Sequence, residues 1–263
     1  MYYLLNNYMP ELIGDSVLSS IGNATARISP HKSFAPTYRV IPAIRKTNKA
    51  LFFMPAWGVS PVTYTYLAQR LRTTHNIVLF YYPREILSPD IDKSFKYYGE
   101  ILAKAHLSIQ ELEDDGVDDF AIFGTSLGSA VTVYVANKTK RFNKIILSVP
   151  GNSGADTLWE SEHRTVLEIR KEFEKKGYDQ DSLRRILADV DPEANLGNLG
   201  NSKILLFLGR TDKIIPFELQ KKLVKKVKEN HIECKTVERQ FGHYITVIQS
   251  LFDYGTIAHF LAE

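Results

Sequence analysis

The sequence has one cysteine, Cys234, so no disulfide can form within the chain and its fold must hold by packing. Cys234 lies in the alternating run Ile232-Glu233-Cys234-Lys235-Thr236-Val237, which reads as a half-buried strand position and not as a nucleophile. Long apolar runs are also lacking. No stretch approaches the roughly 18 apolar residues of a membrane span, so none is expected. The start, Met1-Tyr2-Tyr3-Leu4-Leu5-Asn6-Asn7, has no basic region followed by a long apolar core, so no signal peptide is expected either. These absences point to a cytoplasmic location. Charge of one sign is scarce as well. Lys and Arg total 33 against 30 Asp and Glu, a net charge of +3 that is too small to suggest a nucleic-acid partner. The lysines at 221, 222, 225, 226 and 228 spread over one helix without interleaved aromatics and read as a solvated face. No internal repeat or low-complexity tract is present.

What remains is ordinary globular material. The 263 residues are 44% hydrophobic and 24% charged, which suits one large α/β domain or a domain with a small insertion. Residues 1–36 read as an N-terminal extension, with a short helix between Pro10 and Ser20 before Asn23, Pro30 and Pro36 break the pattern. A regular rhythm begins at Tyr38. Strands are expected at 38–44, 50–54, 76–82, 119–123, 144–149, 203–208 and 232–237. Helices are expected around Tyr64–Leu71 and over 93–113, 129–137, 217–228 and 244–261. Between 150 and 200 the strand rhythm stops, and two charged helices, 160–176 and 181–189, fill the gap.

Buried apolar strands alternating with helices predict a mostly parallel central sheet with helices on both faces. Residues 37–150 and 200–263 would form this core and 151–199 a small helical insertion. In such sheets ligands bind at the carboxyl ends of the strands, which is the test for every candidate residue.

Three residues meet it. Gly124-Thr125-Ser126-Leu127-Gly128 joins a buried strand to a helix and matches G-x-S-x-G, a sharp turn that exposes its serine. A serine hydroxyl needs a base to become a useful nucleophile, and the base needs an orienting acid. Asp212 lies just past the strand 203–208, too far from Phe217 for the ordinary task of capping the next helix; Asp156 and Glu160 are reserve acids. His243 lies between the last strand and the last helix. His106, His163 and His259 fall in predicted helices, His31 in the irregular start, and His75 and His231 before strands, at the wrong edge of the sheet.

The order Ser126, Asp212, His243 completes a resemblance. From about residue 38 to 262 the chain resembles the α/β-hydrolase superfamily. The resemblance rests on Gly124-Thr125-Ser126-Leu127-Gly128, on Gly209-Arg210-Thr211-Asp212 with Ile215-Pro216, and on Phe241-Gly242-His243. It implies a serine nucleophile at Ser126, an acid at Asp212 and a base at His243. It also implies an oxyanion hole of two backbone amides. One is that of Leu127. The other comes from the loop after strand 50–54, at Trp57, with Ala56 as the alternative. Many members have His-Gly in that loop, where this chain has Pro55-Ala56. The insertion 151–199 resembles the family's caps, and Trp57 and Trp159 are candidate pocket walls, with core packing as the alternative. The expected activity is a serine hydrolase cleaving a carboxylic ester of small or medium size with an apolar part, without metal or cofactor. Thioesterase, acyltransferase, short-peptide peptidase or a ligand-sensing protein with slow turnover would use the same fold.

Overall fold

The computed structural model describes residues 35–59 and 61–263. The short helix expected between Pro10 and Ser20, and all but the end of the expected extension 1–36, lie outside the described residues. In chain order the strands are β1 (Thr37–Ile41), β2 (Lys49–Met54), β3 (Asn76–Tyr81), β4 (Asp119–Thr125), β5 (Phe142–Ser148), β6 (Lys203–Gly209) and β7 (Glu233–Arg239). The α-helices are α1 (Thr65–Leu71), α2 (Ile91–Asp114), α3 (Leu127–Thr139), α4 (Gly154–Glu160), α5 (Arg164–Lys175), α6 (Gln180–Leu187), α7 (Phe217–Glu229), α8 (His243–Phe252) and α9 (Tyr254–Ala262).

Among the described residues the strands form one sheet in the order β1-β3-β2-β4-β5-β6-β7. Every neighbouring pair is parallel except β1 and β3, which are antiparallel. The period of two along each strand sorts the core into two layers. Ala50, Phe52, Met54, Ile122, Ile145 and Leu206 point to the face covered by α2, α3 and α7. Leu51, Phe53, Phe123, Ile146 and Phe207 point to the face covered by α1, α9 and the end of α8. Helices on both faces explain why the inner strands read as unbroken apolar runs.

The chain passes from β3, on one side of β2, to β4 on its other side. The loops leaving β2 and β4 therefore face each other across a crevice at the carboxyl edge, where such sheets bind ligands.

Several expected helices end elsewhere. The last one is two, α8 and α9, because Asp253 leaves the helical region and its carboxylate takes the Thr256 amide at 3.3 Å. The expected helix 160–176 begins late. Ser161 is extended, with φ −68° and ψ 136°, and its hydroxyl accepts the His163 amide, so α5 starts at Arg164. Before that break stands an additional helix, α4, capped by Ser153. α6 starts at Gln180, one residue earlier than read, because Asp179 and Ser182 form a reciprocal capping box. His163 thus stands at the N-cap position of α5, without a side-chain capping bond, and does not lie inside the helix.

Candidate active site

The serine turn is built by close approach. Ser126 has φ 53°, a left-handed backbone that costs energy for a residue with a side chain. A Cβ on Gly124 would collide with the Gly128 carbonyl and with Thr132, and one on Gly128 with the carbonyls of Met54 and Pro55. The glycines therefore let α3 start directly against β4 and against the loop after β2. Ser126 N–H donates to the Ser148 carbonyl at 2.8 Å, and Ser129 Oγ donates to the carbonyls of Gly124 and Ser148 at 3.0 and 3.1 Å. Leu127 opens α3, so its amide has no acceptor within the helix and lies at the positive end of the helix dipole.

Asp212 follows β6 and is buried. Its Oδ1 accepts the amides of Ile214 and Ile215 at 2.8 and 2.9 Å. Its Oδ2 accepts Gln220 Nε2 at 3.2 Å and faces His243 Nδ1 at 2.8 Å. Pro216, not Asp212, stands at the N-cap of α7. With an acid on Nδ1, the imidazole carries its proton there and leaves Nε2 as the acceptor. Nε2 lies 3.0 Å from Ser126 Oγ. The structure thus brings together Ser126, His243 and Asp212, from three separate strand ends.

The reserve acids lie elsewhere. Asp156 receives Asn152 Nδ2 and Gln180 Nε2, each at 3.0 Å, and pairs with Arg184. Burial opposes its ionisation, but these hydrogen bonds outweigh burial and hold its carboxyl below the ordinary value of 3.8. Glu160 pairs with Lys222 at 3.2 Å.

In the loop after β2, the Ala56 amide donates to the Tyr64 hydroxyl at 2.8 Å, which removes it as a free donor. Trp57 Nε1 donates to the Arg84 carbonyl at 2.7 Å, and the Arg84 guanidinium lies 5.8 Å from the Trp57 ring centre. Trp159 packs against the apolar cluster of Ile91, Leu158, Phe173 and Leu183. Segment 161–163 contacts the loop after β6 and the start of α8. Glu162 N–H and Ser161 Oγ both donate to the Lys213 carbonyl, and the His163 ring meets Tyr244, which in turn meets His243 edge-on.

Gln220 went unread in the sequence. It is fully buried, takes the Gly209 amide on Oε1, and gives Nε2 to Asp212 and to the Ile215 carbonyl at 2.8 Å. Its one signal is an uncharged amide in the first turn of a lysine-rich helix, eight residues after Asp212. Among the described residues no group of three or more His, Cys, Asp or Glu is arranged to hold a metal ion, and no helix is long and apolar enough to cross a membrane.

No protein-family model matches the sequence, and no curated protein matches it. Solved structures do. An enol-lactonase from Burkholderia xenovorans is 12% identical with a TM-score of 0.57, covering 87% of this chain and 96% of that one. A lipase-esterase related protein from Clostridium acetobutylicum is 16% identical with a TM-score of 0.58, covering 86% of this chain and all (100%) of that one. An acylaminoacyl peptidase from Pyrococcus horikoshii is 13% identical with a TM-score of 0.66 over 88% of this chain, which spans only 42% of the peptidase. At such identities the likeness is one of architecture, and it agrees with the mostly parallel sheet covered on both faces: the chain has the α/β-hydrolase fold.

Proposed function

We propose that this protein is a serine hydrolase that cleaves a carboxylic ester of small or medium size through an acyl-enzyme. The observation that carries the reading is the hydrogen-bonded chain from Ser126 Oγ to His243 Nε2 at 3.0 Å and from His243 Nδ1 to Asp212 at 2.8 Å. Ser126 Oγ attacks the ester carbonyl carbon while His243 Nε2 takes its proton. Asp212 accepts from Nδ1 and holds the imidazole in the tautomer that leaves Nε2 free to accept. The amides of Leu127 and Trp57 donate to the carbonyl oxygen as it becomes negative. Donors of this kind matter because losing one typically costs about 10²–10³ in rate. The histidine returns the proton to the leaving alkoxide, the C–O bond breaks, and the acyl group remains on Ser126. Water, deprotonated by the same nitrogen, then releases the acid.

The ester class is supported by the fold's company, which includes an enol-lactonase and a protein described as lipase-esterase related. The helices between β5 and β6 act in this reading as a cap, since segment 161–163 packs against the loops that carry Asp212 and His243. A fluorophosphonate probe is expected to label the wild type and to leave Ser126→Ala unlabelled; an unlabelled wild type would sink the hydrolase reading. A series of p-nitrophenyl esters of rising chain length then measures the pocket. If all were inert while acyl-CoA thioesters turned over, a thioesterase would replace the esterase.

A further inference from the structure

The proposed oxyanion hole is assembled from two loops that belong to different strands. One amide, Leu127, is fixed by the start of α3. The other, Trp57, sits in a loop where Pro55 has no amide to anchor it. Its anchoring is visible one residue earlier. The peptide group linking Pro55 and Ala56 is held at both ends by tyrosine hydroxyls. Its N–H, on Ala56, donates to Tyr64 Oη at 2.8 Å. Its C=O, on Pro55, accepts from Tyr82 Oη.

The directions of these bonds follow from chemistry. A peptide N–H can only donate, so Tyr64 is the acceptor there, and its own proton is left for Thr125 Oγ1, with which it is in hydrogen-bond contact. Thr125 ends β4 and immediately precedes Ser126. Tyr64 therefore links the loop after β2 to the serine turn through one buried hydroxyl, 1% exposed as a residue. The same Pro55 carbonyl also faces Gly128, where a Cβ would intrude. Burial pushes the Tyr64 hydroxyl up to about 12 and raises that of Tyr82 well above its ordinary value of 10.0, so both keep their protons near neutral pH.

We infer that Tyr64 and Tyr82 are positioning residues for the reaction: together they clamp the Pro55–Ala56 peptide so that the Trp57 amide is held beside that of Leu127 at the serine. Because a peptide is planar, fixing its N–H and C=O fixes the plane from which the next residue departs. The inference rests on the hydrolase reading, since only a reaction at Ser126 gives the clamp its purpose.

The test uses the full chain with p-nitrophenyl butyrate as substrate and phenylboronic acid, which forms a tetrahedral adduct on a reactive serine. Tyr64→Phe and Tyr82→Phe are each expected to lower kcat about ten- to a hundred-fold, the scale of a misplacement near 1 Å. KM should change less than about twofold, while the boronate weakens by the same factor as kcat/KM. The double variant should lose much less than the product of the two single losses, because both act on one peptide. A purely structural role would lower the melting temperature and leave boronate affinity and kcat per folded molecule unchanged, and that result would overturn the clamp. Should Tyr64→Phe not fold, Tyr82→Phe cuts the other end of the same peptide and decides the matter alone. A wild type that neither hydrolyses ester nor accepts the fluorophosphonate overturns the hydrolase reading and the clamp with it. An active wild type with both variants at full kcat overturns the clamp alone.

Discussion

The central sheet and the helices α4 to α6 are held by different forces. Phe52 in β2 is fully buried and touches the rings of Phe80, Phe120 and Phe142. Burial of this kind is non-directional and indifferent to pH. In the helical segment, α5 buries only Phe173 and α6 only Leu183. Its two ends are joined to each other by polar bonds, beside an apolar cluster shared with Ile91 of α2. Ser153 Oγ and the Gly154 amide donate to Asp191, and Asn152 bridges Asp156 and Glu193. Polar junctions of this kind exchange strength for direction, so they can open locally without unfolding the sheet.

The largest expected effect breaks the sheet. Phe52→Ala should cost about 3–5 kcal/mol, read as a fall in the urea midpoint of the whole cooperative transition. Equal loss of protection in β4 and in α6 by hydrogen exchange would accompany it.

The next effect separates the two regions by pH. Burial, with Glu193 and Asp156 nearby, raises the Asp191 carboxyl from 3.8 to about 6 against the pull of its two hydrogen bonds. The folded state then holds this proton more tightly than the unfolded chain. Its stabilising contribution is full below pH 3.8 and is lost as the pH rises through about 6. His75, at the amino edge of the sheet, does the opposite. Burial, then Lys49, lowers it from 6.5 to about 4, so its contribution is full above 6.5 and is lost as the pH falls through about 4. Asp191→Asn and His75→Asn should each remove a slope on the order of 2 kcal/mol between pH 4 and 6.5, with opposite signs, in urea midpoints measured across that range. Equal signs would show that one of the two groups is not titrating as its surroundings dictate.

The smallest effect sharpens the contrast. Arg184→Met removes a partly exposed donor from Asp156 but leaves Asn152 and Gln180 in place, and is expected to cost about 1 kcal/mol. Exchange should quicken in α4 and α6 while β2, β4 and β5 stay protected.

The same contrast explains what could be read from the residues. Runs such as Ala50–Met54 and Ile204–Leu208 announce buried strands because a sheet covered on both faces favours apolar side chains at successive positions. Ser126, Asp212 and His243 could be proposed from the residues because each follows a strand end, and strand ends are visible as the close of an apolar run. The additional helix α4, the break at Ser161 and the division at Asp253 were not visible. Each depends on a side chain meeting a backbone group nearby, and neither composition nor period records that. The antiparallel entry of β1 is likewise a matter of which edge it meets.

By itself, then, the chain's pattern determined the layered α/β architecture and the three strand ends that carry Ser126, Asp212 and His243, because periodicity and strand termini are local properties. Only the tertiary structure decided that His243 stands between Ser126 and Asp212, that Gln220 and not a lysine supports the acid, and that Tyr64 and Tyr82 grip the Pro55–Ala56 peptide. Those bonds cross from one element to another, and a hydrogen bond exists only where folding has brought donor and acceptor within about 3 Å.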